Sequence, residues 1–106
     1  MQRLEQVFKI IGAKPQAKKC EAINGITDEG KEIMSEYNPA LDSGLLAAAQ
    51  AVEHYEISRY GTLKTWAEEL GHGDAVRLLD ATLQEEKKTD AALTQIAEAV
   101  VNQEAA

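Results

Sequence analysis

A single cysteine in 106 residues leaves Cys20 without an intrachain disulfide partner and leaves the chain without metal-type cysteine spacing. Basic residues are also scarce. Eleven Lys and Arg against 18 Asp and Glu give a net charge of −7, which argues against a nucleic-acid surface, because phosphate binding needs a basic face. An anionic membrane surface is disfavoured for the same reason. No apolar run approaches the roughly 18 residues of a spanning helix, and the N-terminus shows no signal pattern. The expectation is a cytoplasmic protein with neither nucleic acid nor membrane as partner. At this length the chain forms one domain with a modest core, so a large buried pocket is not expected. Strand patterns, internal repeats and low-complexity segments are absent.

What remains is helical periodicity, punctuated by two prolines and a few glycines. Residues 1–12 carry Leu4, Val7, Phe8 and Ile11 at helical spacing and stop at Gly12. No capping residue precedes them, so they read as the end of a bundle helix. Residues 13–42 read as a loop holding a short helix, with Thr27 as N-cap and Ile26, Ile33, Met34 and Tyr37 as its apolar side; Asn38-Pro39 ends it. The lysine run in "AKPQAKKC" reads as solvated surface. Two long helices follow, 43–70 and 74–103, capped by Asp42 or Ser43 and by Asp74, with Gly71 closing the first. The short "GHG" link forces them antiparallel.

Stepping by three and four along the first long helix gives Leu46, Ala49, Glu53, Glu56, Tyr60, Leu63, Ala67 and Leu70. The second gives Val76, Leu79, Leu83, Glu86, Asp90, Leu93, Ala97 and Val100. Each apolar stripe is broken once, by a pair of acids. A hairpin turning near residue 72 pairs positions whose numbers sum to about 142 or 143. Glu56 then faces Glu86 and Glu53 faces Asp90, at one level of the bundle.

Buried like charges repel and lose hydration, so something must compensate. Three arrangements can do so: protons shared between carboxyls, basic partners such as Arg59 or Arg3, or a pair of divalent metal ions. Oxygen donors suit iron or manganese. Against these stands the plainer reading of seam acids as salt-bridged or partly solvated. Glu85 and Lys88 lie outside the seam and read as solvated face. His54 and His72 read as exposed or locally hydrogen-bonded, Tyr60 as a core tyrosine, and Trp66 as cover for a neighbouring helix. Ser43, Ser58 and Cys20 have no matching His and acid, so no catalytic or cofactor-binding residue is assigned.

The segments "RLEQVF", "KPQAKKCEAINGI", "AAQAVEHYEISRYGTLKTWAEELG" and "LLDATLQEEKKTDAALTQIA" resemble the bacterial YciE/YciF family, stress-linked ferritin-like proteins of unassigned biochemical activity. The resemblance implies an all-α, ferritin-like four-helix bundle with a dinuclear iron or manganese centre. It places Glu53 and Glu56 on the third bundle helix and Glu86 and Asp90 on the fourth, as metal ligands. Were the chain an enzyme, iron oxidation or oxygen and peroxide handling would be the reaction. Two departures weigh against catalysis. Thr89 stands where a Glu-x-x-His element would place histidine, and the helical hairpin that precedes "RLEQVF" in the family is not in this sequence. The chain therefore reads as half of a four-helix bundle, an antiparallel hairpin completed by a homodimer. The alternative is that the N-terminal third folds over the seam of a loosely packed monomer. The competing function is a non-enzymatic structural or interaction protein whose buried acidic layer fixes helix register.

Overall fold

The computed structural model describes residues 2–35 and 41–101. Its helices are α1 (Gln2–Ile11), α2 (Glu21–Ser35), α3 (Leu41–Glu69) and α4 (Gly73–Ile96), which runs on into a π-helical turn, Ala97–Val101. No strand occurs among the described residues. Tyr37, the Asn38-Pro39 stop, the Val100 side chain and the expected helical residues 102 and 103 lie outside them.

The helix ends follow backbone geometry more than side-chain capping. Gly12 and Gly71 have φ of +73° and +76°, the left-handed conformation that glycine adopts without strain. Around Gly71, the His72 N–H donates to Ala67 O at 2.9 Å and the Gly71 N–H to Glu68 O at 3.1 Å. Both bonds satisfy carbonyls that the helix end would orphan. The cap assignments move accordingly. His72 occupies the N-cap of α4 without a side-chain bond, while Asp74 turns to Arg77 within the first turn. Asp42 and Ser43 fall inside α3. α2 begins six residues before Thr27, with Cys20 O accepting its first bond from the Asn24 N–H.

The antiparallel hairpin of α3 and α4 is the frame. Its register is close to the expected one: Gln50 bonds Thr94, His54 meets Asp90 and Lys64 meets Asp80, and each pair sums to 144. Among the described residues, the buried ones are few and small apart from two leucines: Ala67, Ala75, Leu79, Leu83 and Ala97. All but Ala75 lie on the expected stripes.

α1 packs on the turn half of α4, its Leu4 and Val7 reaching the Ala67–Ala75–Leu79 cluster. Arg3 ties it down with a two-pronged bond to Glu85, at 2.7 and 2.8 Å. α2 packs on the other half of the hairpin, against α3. The N-terminal third therefore does fold over the hairpin, but each short helix covers only one half of one long helix. The result is 50 × 27 × 20 Å with a radius of gyration of 16.8 Å, where a compact chain of this length has about 13 Å. Its accessible surface is 7625 Å², about 1,800 Å² more than the ~5,800 Å² expected for 11.6 kDa. No helix among the described residues is long and apolar enough to cross a membrane.

The α2–α3 contact is close because Gly44 has no side chain. A Cβ there would lie 3.0 Å from Ile33 Cγ2, whereas one on Gly61 meets nothing within 4 Å. Gly44→Val should therefore destabilise by about 1–3 kcal/mol through overpacking. Gly61→Ala should stabilise by about 0.5–1 kcal/mol through helix propensity alone. Urea unfolding of both variants checks this, and equal effects would show that α2 does not seat on α3 as described.

Candidate functional site

Midway along the hairpin, the apolar stripes give way to Glu53 and Glu56 on α3 and Glu86 and Asp90 on α4. Adjacent seam positions on α3 bring both of its acids to the α4 face. Glu86 lies within hydrogen-bonding reach of Glu53, and its charge acts on Glu56. Glu86 neighbours Glu56, as the expected pairing has it, and also meets Glu53, while Asp90 meets His54.

Two carboxylates cannot hydrogen-bond each other without a proton. The bond to Glu53, burial and the Glu53 charge together push the Glu86 carboxyl up to about 7. Burial and then Glu86 push Glu56 upward. Tyr60, one turn toward the hairpin turn, is raised by burial and by the charges of Glu56 and Glu86. It packs against the alanine and leucine cluster, as a core tyrosine should.

His54 is largely exposed, yet its Nε2 lies 2.8 Å from Asp90 Oδ1, whose side chain is 23% exposed. The approach is close but off the line of a hydrogen bond. Asp90 Oδ1 and Glu53 Oε2 are buried oxygens without a hydrogen-bond partner. Such atoms are costly unless a proton, a cation or a better-placed donor reaches them.

The basic partners that the sequence offered go elsewhere. Arg3 serves Glu85, which is exposed but paired, and Arg59 lies over the Tyr55 ring at 5.0 Å from its centroid. Tyr55 in turn meets Cys20 Sγ at 3.3 Å. That bond, with the backbone N–H groups of Ile23 and Ala22, lowers the Cys20 thiol from its ordinary value. Cys20 is thus a satisfied thiol at the start of α2.

Among the described residues, no three His, Cys, Asp or Glu side chains converge closely enough to hold a metal ion. The donor chemistry of the layer suits iron or manganese, but its spacing within one chain does not. His54 is the member of this layer that stripe counting missed, because it sits one position off the seam. The pair sum of 144 would have matched it to Asp90.

A model for a domain of unknown function, DUF892, matches residues 1–106. Protein YciF of Escherichia coli (strain K12) is 45% identical over 109 residues, covering 97% of this chain and 66% of that protein. The crystal structure of the E. coli stress protein YciF superposes with a TM-score of 0.88, over 95% of this chain and 65% of the other. YcfI of Rhodopseudomonas palustris, taken to be a structural protein, is 50% identical with a TM-score of 0.82, over 88% and 60%. The chain spans just under two thirds of the length of these relatives. With the family model matching end to end and the YciF hairpin reproduced at 45% identity, the chain belongs to the DUF892 family, that of YciF.

Proposed function

We propose that this chain is a non-enzymatic, stress-associated structural protein of the cytoplasm that works as a homodimer, its acidic layer fixing the register of a helical assembly. The observation that carries this reading is the acidic layer itself, where the neighbouring Glu53 and burial raise the Glu86 carboxyl in the middle of two otherwise apolar stripes. A polar layer of this kind brings Glu86 to Glu53 and His54 to Asp90 in one alignment of α3 on α4, and a slipped alignment would set the same acids against apolar neighbours. The stress link rests on the name of the E. coli relative, and the structural role agrees with the description of YcfI. Dimerisation would bury part of the apolar surface that Trp66 and Leu70 expose.

A second reading has one specific observation in its favour. Glu53 Oε2 and Asp90 Oδ1 are orphaned oxygens of the kind a cation would satisfy. In an assembly that brings further carboxylates to this level, Glu53, Glu56, Glu86 and Asp90 would hold a dinuclear iron or manganese centre, which would supply redox or Lewis-acid chemistry. The chain's own residues would hold the ions and exclude water through Tyr60 and the flanking leucines.

Metal content separates the two. For protein expressed with iron and manganese supplied and purified without chelator, mass spectrometry of the elements should find well under one ion per chain, and chelator should leave the oligomer unchanged. Near-stoichiometric iron or manganese, lost together with the oligomer on chelation, would overturn the first reading in favour of the second.

A further inference from the structure

The segment between α1 and α2 joins two anchored ends but is itself uncovered. Residues 12–19 are all exposed, and 13–20 have no regular structure. The Ala13 N–H donates to Phe8 O at 3.0 Å, and Cys20 O accepts from the Asn24 N–H at 3.0 Å. Between those two points the backbone makes no hydrogen bond to the backbone of another described residue. On one side Leu4 and Val7 hold α1 to the core cluster; on the other Cys20 Sγ meets the Tyr55 hydroxyl at 3.3 Å. The segment is also the basic stretch of an acidic chain. Residues 6–20 carry Lys9, Lys14, Lys18 and Lys19 and no acid, against seven basic and 18 acidic side chains elsewhere. Lys18 and Lys19 stand in the uncovered part, and the Lys19 side chain is 68% exposed although it reaches Glu21 at 3.4 Å.

We propose that the Lys18–Lys19 pair is a scission site, where an endopeptidase that cuts after basic residues hydrolyses the chain and so detaches α1 from the hairpin. The bond following Lys18 or Lys19 is broken and one water is consumed. A carboxylate forms on the lysine and an amino group on the residue after it. An endopeptidase takes its substrate as an exposed, unpaired stretch of backbone, which is why nicking concentrates in segments of this kind. The eight Lys and Arg outside 13–20 all lie within helices, where cutting must wait for local unfolding. Lys14 is followed by Pro15, whose missing N–H and fixed φ make that bond a poor substrate. A pocket that reads lysine is acidic, so the rest of this chain repels such an enzyme while the basic stretch attracts it. Once cut, α1 is held by non-covalent contacts alone: Leu4 and Val7 on the Ala67–Ala75–Leu79 cluster, and the two-pronged bond of Arg3 to Glu85. Its departure uncovers that cluster, so hydrolysis acts as an irreversible switch on the fold.

A trace of trypsin acting on the folded full chain, with the products followed by mass spectrometry, tests the site. The first cut should fall after Lys18 or Lys19, about ten-fold or more faster than any other. Lys18→Ser combined with Lys19→Ser should slow that first cut by a similar factor. Lys87→Ser combined with Lys88→Ser, at the lysine pair within α4, should leave its rate unaltered. Size-exclusion chromatography of the nicked protein at about 1 µM should separate the piece bearing α1 from the piece bearing α2 to α4. The two then meet at bulk concentration, where the intact link held them at an effective concentration on the order of millimolar. A first cut within any helix, or cutting no faster than global unfolding, would overturn the site. Pieces that stay together at that dilution would overturn the detachment, and with it the switch.

Discussion

Leu79→Ala is expected to cost about 2–3 kcal/mol, a large share of the stability of so lean a fold. Leu79 is 4% exposed and is the largest member of the cluster it forms with Ala67 and Ala75, on which Tyr60 of α3 and Leu4 and Val7 of α1 pack. Truncation removes apolar burial and leaves a void beside Ala75. The void opens into the groove between α1 and α3, so water can enter it, and the cost falls toward the low end of the Leu-to-Ala range. For a chain of this size the midpoint of thermal unfolding should drop by on the order of 10–15 °C. Because α1 adds its own apolar contacts only here, its amides should lose hydrogen-exchange protection first. Met34→Ala removes a side chain of similar size that is 66% exposed and should change stability by no more than about 0.5 kcal/mol. If the two variants were equally stable, the Ala67–Ala75–Leu79 cluster would not be the core.

The same residues show what was legible in the sequence. The stripe Leu79, Leu83 and Ala97 and its partner Ala67 follow from spacing alone, because a helix has one face and the hairpin turn at Gly71 sets which faces meet. The register came within two of the observed sum for the same reason. The caps did not follow. A Thr, Asp or Ser near a helix start is a local preference worth about 1 kcal/mol, and α2, whose Ile26 and Ile33 lie along α3, runs back past Thr27 to Glu21. Arg3 and Glu85, 82 residues apart, meet only because α1 lies along α4, and no sequence periodicity encodes that. In the acidic layer, spacing put Glu86 beside Glu56 but did not show its second partner, Glu53. Glu86 reaches diagonally to Glu53, which leaves Asp90 to His54, and a one-to-one counting rule cannot see a diagonal.

That diagonal sets the pH dependence of the fold. Glu86 is raised from 4.5 to about 7 by its bond to Glu53 and by burial, so the folded state holds this proton more tightly than the unfolded chain does. Stability from this group is therefore greatest below about pH 4.5, falls as pH rises from 4.5 to 7, and is at its floor above that. Glu85 and Asp80 act in the opposite sense. Their bonds to Arg3 and Lys64 lower their carboxyls, so their contribution is present above the ordinary carboxylate range and lost as pH falls through it. Together they place the stability maximum on the mildly acidic side of neutrality. Glu86→Gln removes the titration and supplies an amide that can donate to Glu53. The variant should be more stable than the parent by about 1–2 kcal/mol at pH 8, after allowance for the partial solvent exposure of the layer. At pH 5 the two should agree to within about 0.5 kcal/mol. Urea unfolding at the two pH values decides between the readings of the site. A variant less stable than the parent at pH 8, with the parent itself weakened by chelator, would mean that the Glu86 carboxylate serves a cation instead of sharing a proton with Glu53.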